Sequence, residues 1–394
     1  MEDSKLKQFT SSLGTNLSRY SMLIALVAVM VFFGVTTKNH VFLVPENVSN
    51  LILQNAYVVI LAVGMLLCIL TGGNIDLSVG SVVGFIGALA GQLIIVNKMN
   101  VYVAIALCLV AGILIGMWQG FWIAYISIPP FIVTLTGMLL FRGLTLVTLN
   151  GLTLSQFPAS YLSLSTGFFG DFFAVSGFNL TCMLVGVAAA FIFVIMQIFG
   201  RINKVKKGYE TGHFLGFLFK IIIIPAVILV IAYTLARYKG IPTVLLILSI
   251  IVLVYAYITN KTVAGRYLYA LGGNQKAARL SGIDTKKVFF LAYTNMSFLA
   301  AVAALVYVAY LQSAAPTYGT GFELDAIGAC FIGGASAYGG IGTVGGVLIG
   351  AIFMGVLNNG MSLNGIASDW QQIVKGLVLL FAVAFDVVSK RKTK

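Results

Sequence analysis

The stretch VAGRYLYALGGNQKAARLSGID, residues 263–284, is the one polar island in a sequence that is otherwise almost continuously apolar. Apolar runs at 243–258 and 288–312 flank it. A helix crosses a hydrocarbon core of about 30 Å with about 20 residues. Since 60% of the 394 residues are hydrophobic and only 9% are charged, the sequence predicts a polytopic integral membrane protein.

The apolar runs set the predicted number of membrane crossings. Nine of them precede residue 313, near 20–37, 51–70, 78–97, 101–125, 131–149, 178–199, 214–236, 243–258 and 288–312. The first lacks a small-x-small cleavage site, so we interpret it as a retained helix rather than a signal peptide. The segment 325–390 contains a full run near 370–388 and two shorter runs joined by GGIGT, which we interpret as a hairpin of broken helices. We predict an all-α transmembrane bundle of ten to twelve membrane segments, forming a single domain over residues 1–394.

The basic residues are concentrated in four clusters, and the formal charge is +13. The clusters are Lys5, Lys7 and Arg19; Arg201, Lys204, Lys206 and Lys207; Lys261, Arg266, Lys276, Arg279, Lys286 and Lys287; and Lys390, Arg391, Lys392 and Lys394. Cytoplasmic loops of membrane proteins carry an excess of Lys and Arg. We therefore predict that both termini and the segment 259–287 are cytoplasmic and that 150–177 is an outer loop. No face is both basic and clear of the bilayer, so nucleic acid is not a predicted partner.

Two polar interruptions break the apolar pattern, TGGNIDLSVGS at 71–81 and GGASAYGGIGT at 333–343. Irregular backbone at membrane depth is tolerated only where protein or a water-filled cavity satisfies its polar groups. Interrupted spans therefore point to a transport path. Four of the predicted path residues lie in these segments, namely Asn74, Asp76, Ser78 and Ser336. The other predicted path residues are Arg142, Asn358 and Asn359.

Asp76 and Arg142 are charged residues in or next to apolar runs, and each has two interpretations. Asp76 is either a proton-coupling acid or a cap of the third helix, close to the cytoplasmic surface. The capping interpretation is favoured because Ser78 and an apolar run follow at once. Arg142 either lines a pore or extends its side chain towards the outer surface.

Glycines recur at intervals of three or four in several runs. Examples are Gly80, Gly84, Gly87 and Gly91; Gly112, Gly116 and Gly120; and Gly342, Gly346 and Gly350. Small residues at this spacing let membrane helices approach closely, so the pattern predicts tight helix packing.

The sequence contains no pattern that indicates an enzyme. It has no GxxxxGK[ST] phosphate loop, and the GxGxxG at Gly340, Gly342 and Gly345 lacks the preceding strand that a dinucleotide site needs. His40 and His213 are too far apart for a metal site, and the four cysteines lie singly in apolar runs, which is typical of packing. We predict no catalytic residues, metal or cofactor on this chain.

The polar island contains the strongest local pattern. A Gly-Gly pair at 272–273 breaks the chain, Asn274 can cap a short helix at 275–281, and Gly282 can end it. A short helix across the mouth of a bundle suits docking of a soluble partner. A solvated loop with the excess of Lys and Arg that cytoplasmic loops carry would explain the lysines equally well. It would not predict a chain break, a helix cap, a short helix and a helix stop in this order.

Four motifs resemble those of the permease subunits of bacterial ATP-driven monosaccharide importers. They are GGNIDLSVGS (72–81), PPFIVTLTGMLLFRG (129–143), GRYLYALGGNQKAARLSGI (265–283) and IGGASAYGGIGTVGGVLIGA (332–351), followed by NNG (358–360). The chain departs from the shorter ribose-type pattern between Arg142 and Gly265, where it has a long loop and an extra pair of runs. In this respect it is more similar to xylose or multiple-sugar permeases.

The resemblance implies a type II ABC importer-like bundle in the bacterial cytoplasmic membrane. It implies pairing with a second permease, a cytoplasmic ATPase that carries ATP and Mg²⁺, and an extracytoplasmic sugar-binding protein. It assigns ATPase coupling to Gly272, Gly273, Asn274, Ala277, Ala278, Arg279, Ser281 and Gly282. The implied function is import of a pentose or hexose. The alternative is a secondary transporter that uses Asp76 for proton coupling.

Overall fold

The structure is a computed structural model that describes residues 22–173, 177–209 and 214–391. Within these ranges, ten helices are long and apolar enough to cross a membrane, which confirms the predicted polytopic helical bundle. Some positions named above lie outside the described residues, namely Lys5, Lys7, Arg19, His213, Lys392 and Lys394.

Fifteen α-helices follow one another along the described chain, with a 3₁₀ helix, Lys38–Leu43, between the first two. They are α1 Met22–Thr36, α2 Pro45–Leu70, α3 Val79–Gly91, α4 Val101–Ala124, α5 Pro130–Leu149, α6 Ala159–Thr166, α7 Leu180–Lys206, α8 Phe214–Ala236, α9 Thr243–Lys261, α10 Val263–Gly273, α11 Gln275–Leu280, α12 Thr285–Leu311, α13 Phe322–Ile332, α14 Val344–Leu363 and α15 Ser368–Arg391. A π-helical turn, Gln92–Val96, extends α3. The strands β1 Leu154–Ser155 and β2 Ser313–Ala314 pair antiparallel.

Short polar side chains define where several of these helices begin. The Asn100 side chain accepts from the backbone N–H of Tyr102 at the start of α4, and Thr343 caps α14 through the N–H of Gly346. Such caps satisfy backbone donors that have no partner inside the helix. Pro130 begins α5 at a position where its missing N–H costs nothing. The local sequence therefore fixes these boundaries close to the ends of the apolar runs.

The centre of the bundle is formed by α2 and α12, which pack against each other, while α4 covers the other side of α12. The second half of α2 is almost completely buried, because α12, α13 and α14 all contact it. Cys68, Cys108, Cys182 and Cys330 are buried and free, as the packing interpretation predicts. By contrast, α7 and α8 pack mainly against each other and form the extra hairpin expected from the sequence.

Glycines allow α4 to approach α12 closely. A Cβ built on Gly116 would lie 2.6 Å from Thr294 Cα and 2.8 Å from Tyr293 O, and one on Gly120 would lie 2.9 Å from Phe290 O. These are backbone atoms, so no side-chain rotation can make room. The predicted tight packing is present in this helix pair.

We expect Gly116→Ala to destabilise the protein by about 1–3 kcal/mol, the usual cost of overpacking a core. Helix propensity alone acts in the opposite direction, by up to about 1 kcal/mol. The matched control is Gly143→Ala in α5, where nothing lies within 4 Å of an added Cβ. Thermal melting of the purified protein in detergent should show a lower midpoint for Gly116→Ala only. Equal midpoints for the two variants would contradict this packing.

The two ends of the bundle carry different structures. The β1–β2 pair marks one end, which we call the ladder end. The helices α10 and α11 mark the other, which we call the α10 end. Long helices run between these two ends: α2 ends beside Gly272 of α10, whereas α3 ends beside Leu154 of β1.

Two spans are interrupted near the middle of the bundle. After α2, the backbone of residues 71–78 turns back into the protein, and Asp76 N lies 3.4 Å from Met65 Sδ. After α12, residues 312–321 enter from the ladder end, and Phe322 at the start of α13 stacks on Tyr57, midway along α2. A Cβ on Gly80 would overlap the carbonyl oxygen of Gly319, so α3 and α13 begin side by side.

This arrangement corrects one sequence expectation. We predicted a hairpin of two broken helices around 333–343, but α14 has 20 residues and is long enough to cross the membrane. Only α13, with 11 residues, is a half-helix. The break in its span lies before it, at 312–321, where Pro316, Gly319 and Gly321 disrupt regular structure. The turn at 333–343 lies at the α10 end.

Candidate translocation and coupling sites

The surface formed by α10 and α11 has the predicted local structure. Asn274 Oδ1 accepts from the backbone N–H of Ala277 at 3.0 Å and caps α11. Gly282 adopts φ +83°, a conformation that favours glycine, and stops the helix. Gly273, Asn274, Ala277 and Arg279 are exposed. The predicted break, cap, helix and stop are therefore all present.

One of the predicted coupling residues, Ala278, faces the bundle. Ala278 is only 5% exposed and packs towards the bundle, so its side chain is not available to a partner. Leu280, which the sequence analysis passed over, is 90% exposed at the end of α11. Leu280 thus places an apolar side chain in solvent beside the exposed Arg279.

α10 is joined tightly to the rest of the α10 end. A Cβ on Gly272 would overlap the carbonyl oxygen of Leu70, the last residue of α2, and the backbone nitrogen of Gly340. The Gly340 N–H donates to Leu70 O at 3.2 Å, and the Tyr269 hydroxyl donates to Gly342 O at 2.8 Å. Burial raises the pKa of Tyr269. Any displacement of α10 therefore acts directly on α2 and on the turn that precedes α14.

A polar cavity of about 500 Å³ lies beneath α11. Asn74, Gly272, Asn274 and Arg279 line it, together with residues of the α4–α5 connection. Ser336 lies in the neighbouring turn, where its hydroxyl accepts from the N–H of Tyr338 at 3.1 Å. Two predicted path residues, Asn74 and Ser336, are thus at this end of the molecule.

Asp76 lies deeper in the protein than the capping interpretation expected. Its Oδ1 accepts from the N–H and the hydroxyl of Ser78, at 2.8 and 2.6 Å, just before α3 begins. Gln119 donates to the same hydroxyl at 2.7 Å. The local bonding agrees with a role at the helix start, but Asp76 is fully buried rather than close to a surface. Its Oδ2 has no hydrogen-bond partner within the part of the chain that the structure describes.

Arg142 satisfies the backbone of the interrupted span before α13. Its Nη1 donates to Pro316 O at 3.3 Å and to Tyr318 O at 3.1 Å. Irregular backbone inside a membrane needs such partners, since neither lipid nor a helix supplies them. The structure thus gives Arg142 a bonding role that neither sequence interpretation described.

A second polar cavity, of about 490 Å³, lies in the ladder-end half of the bundle between α2, α12 and α14. We call it the amide cavity, because amide side chains dominate its wall. The polar lining residues are Asn47, Asn50, Gln54, Asn55, Tyr57, Tyr307, Tyr310, Asn358, Asn359 and Ser362. No acid, lysine, arginine or histidine is among the described residues that line it. It contains the remaining predicted path residues, Asn358 and Asn359.

An ion pair lies behind the inner end of the amide cavity. The Tyr57 hydroxyl donates to Asp325 Oδ2 at 2.8 Å, and Lys375 Nζ lies 3.0 Å from Asp325 Oδ1. Asp325 is 1% exposed and Lys375 is 18% exposed. Asp325 is also in the first turn of α13, where the helix dipole favours a negative charge. This contact fixes the start of the half-helix to both α2 and α15.

The structure therefore separates the predicted path residues into three places. Asn74 and Ser336 lie at the α10 end, Asp76, Ser78 and Arg142 lie inside, and Asn358 and Asn359 lie in the amide cavity. Sequence reasoning missed other members of these sites, namely Asn47, Gln54, Asn55, Tyr57, Gln119, Asp325 and Lys375. Five of these residues have a recognisable sequence pattern. Asp325 and Lys375 are charged residues within apolar runs, and Asn47, Gln54 and Asn55 are spaced so that they lie on one side of a helix.

Interrupted spans and polar cavities between helices are typical of a membrane transport protein. Residues 47–383 match the protein family described as "Branched-chain amino acid transport system / permease component". The chain belongs to this permease family. It is a multi-pass transport subunit rather than an enzyme, and the family indicates no cofactor on it.

Relatives match the chain over nearly its whole length. The xylose transport system permease protein XylH of Escherichia coli (strain K12) is 37% identical over 392 residues, covering 98% of this chain and 95% of that protein. XylH of Haemophilus influenzae is 37% identical over 377 residues, covering 96% and 98%. The ribose import permease protein RbsC of Escherichia coli (strain K12) is 35% identical over 364 residues, covering 92% of each. No solved structure matches the chain. These similarities confirm the resemblance that the motifs indicated.

Proposed function

We propose that this protein is the permease of an ABC importer that carries a monosaccharide of the xylose or ribose type across the cytoplasmic membrane. The observation that carries the proposal is the similarity to xylose and ribose permeases over more than 90% of the chain. The amide cavity supports it, since its described lining residues offer neutral hydrogen-bonding groups and aromatic rings. Such groups suit an uncharged polyhydroxyl cargo.

We propose that the α10 end is cytoplasmic, with both termini on that side. The basic residues around α10 and α11 and those at the end of α7 support this orientation. A separate ATPase, which binds ATP and Mg²⁺, docks on α11 through Gly273, Asn274, Ala277, Arg279 and Leu280. A sugar-binding protein docks at the ladder end, and two permeases pair. The whole chain acts as one transport domain.

The contacts of α10 suggest how the ATPase drives transport. Movement of α11 displaces Gly272, which lies against Leu70 of α2 and against the turn before α14. The same two helices carry Asn55 and Asn358 in the wall of the amide cavity. A push at the α10 end therefore reaches both sides of that cavity through packed backbone rather than through flexible side chains.

Asp76 supports a second candidate, a proton-coupled transporter. The observation in its favour is that Asp76 is fully buried and has one carboxylate oxygen without a partner. A buried ionisable group in a membrane helix bundle is a functional candidate. However, Asp76 lines neither polar cavity among the described residues, so a proton relay through it has no connection to a cargo site.

We expect Asn274→Ala combined with Arg279→Ala to leave the permease folded but to uncouple or detach the ATPase. Both side chains are exposed, and the one hydrogen bond they make among the described residues is the Asn274 cap, worth about 0.5–2 kcal/mol. Co-purification with the ATPase and sugar-dependent ATP turnover measure the effect. Asn260→Ala, an exposed amide near the end of α9, is the control. Unchanged co-purification and turnover in the double variant would argue against docking at α11.

A further inference from the structure

Two polar atoms in the wall of the amide cavity have no hydrogen-bond partner among the described residues. They are Asn55 Nδ2 and Asn358 Oδ1, and both are buried. Asn55 is only 7% exposed, so its amide has lost water without gaining a protein partner. Buried polar groups are usually satisfied, because leaving one unpaired carries its full desolvation penalty. Both residues line the cavity, and rotation of the terminal amide would present the unpaired atom to a molecule inside it.

The neighbouring amides are already paired with each other. Asn47 and Asn359 exchange two hydrogen bonds of 3.0 Å between α2 and α14, and Asn359 also donates to Gln54 Oε1 at 3.3 Å. Those three side chains hold the two helices together. Asn358 is adjacent to Asn359 in sequence but lies outside that network among the described residues. We call Asn47, Gln54 and Asn359, which bond to one another, the structural set of the cavity wall. We call Asn55 and Asn358, each with one unpaired atom, the unpaired set.

The unpaired set defines the chemistry of an occupant. One atom is a donor and the other is an acceptor, and a hydroxyl group can complement either. Tyr57, Tyr307 and Tyr310 add aromatic rings, each with an apolar face and a polar hydroxyl group. A zwitterion or an ion would need charged partners, and the described lining supplies none. The volume of about 490 Å³ is within the usual range of small-molecule sites, about 300–1,000 Å³.

We infer that the amide cavity is a saccharide-binding site inside the permease protomer, in which Asn55 donates to one sugar hydroxyl and Asn358 accepts from another. The inference rests on the proposed import function and adds a defined stopping point for the cargo. Tyr57 forms the inner end of this site, since its hydroxyl is held by Asp325. The sugar therefore pauses in the ladder-end half of the protein, above the packed second half of α2.

Uptake into vesicles that contain the permease and its ATPase tests the site. The sugar-loaded binding protein is supplied at saturation, so that delivery is not limiting. Asn55→Ala and Asn358→Ala should each lower the uptake rate about five- to tenfold, the effect of losing one hydrogen bond. Gly355→Ala should act similarly, because an added Cβ would overlap the Asn55 amide. Asn364→Ala is the control, since this exposed amide lies outside the cavity and bonds Thr36.

A binding measurement that does not depend on transport completes the test. Ser362 is exposed at the cavity wall and Ser362→Cys introduces a reactive thiol there, whereas the native cysteines are buried. D-xylose or D-ribose should slow maleimide labelling of this variant, and adding Asn358→Ala should remove that protection. Protection by L-leucine to the same extent, or by no probe because the cavity holds only water, would overturn the inference.

The two proposals fail in different ways. If the unaltered complex imports no sugar, the proposed function is wrong. If it imports sugar but the Asn55, Asn358 and Gly355 variants match the Asn364 control, the function stands and the saccharide site is wrong.

Discussion

Replacing Lys375 with methionine is expected to destabilise the protein by about 3–5 kcal/mol, the cost of leaving a buried charge without its partner. Lys375 Nζ lies 3.0 Å from Asp325 Oδ1, and Asp325 is almost completely buried at the start of α13. Without the ammonium, the Tyr57 hydroxyl is the one side-chain partner that the carboxylate keeps among the described residues. Thermal melting in detergent should show a large fall in the midpoint, together with a lower yield of folded protein.

Three further variants separate charge from side-chain size. Lys375→Arg keeps the charge and should recover most of the stability. Lys375→Met combined with Asp325→Asn removes both charges and should melt above the single variant, because no charge remains unpaired. Lys220→Met changes an exposed lysine in α8 and should stay within about 0.5 kcal/mol of the parent. If Lys375→Met melts like Lys220→Met, the ion pair does not hold α13 in place.

Gly272→Val is expected to have the second largest effect, because it fills the junction between α10, α2 and the turn at 333–343. Overpacking costs about 1–3 kcal/mol. Here the obstacles are the backbone atoms Leu70 O and Gly340 N, so we expect the upper end of that range. The melting midpoint of the isolated permease should fall, and ATP-driven uptake should be lost, since α10 can no longer lie against α2.

The adjacent Gly273 provides a matched control. Nothing lies within 4 Å of a Cβ built there, and the residue is exposed. Gly273→Val should therefore melt close to the parent protein but weaken capture of the ATPase, because the new side chain occupies the docking surface. Equal melting midpoints for the valine variants at 272 and 273 would show that Gly272 is not a packing junction.

The sequence predicted the long helices well because each is a nearly unbroken apolar run that ends at a polar cap, a glycine or a proline. It predicted the turn, cap and stop around α11 for a similar reason, since Asn274 and Gly282 act through local backbone chemistry. These features depend on neighbours along the chain, and such neighbours are visible in the sequence.

The features that the sequence did not predict depend on contacts between distant helices. Asn47 pairs with Asn359 and joins α2 to α14. Lys375 of α15 pairs with Asp325 of α13. Helical periodicity describes one helix at a time, so it gives no information about which side chains of different helices meet. The interrupted span at 312–321 was overlooked because its glycines and Pro316 follow directly on the long apolar run of α12. The role of Arg142 depends on the same span, because its partners are the backbone carbonyls of Pro316 and Tyr318.

The most direct test of the account is uptake of labelled D-xylose and D-ribose into vesicles that contain the purified permease, with the ATPase, ATP and a sugar-binding protein added or withheld. The account predicts uptake only when all three are present, and uptake that persists when a proton uncoupler collapses the pH gradient. Uptake by the permease alone that the uncoupler abolishes, and that Asp76→Asn removes, would contradict it.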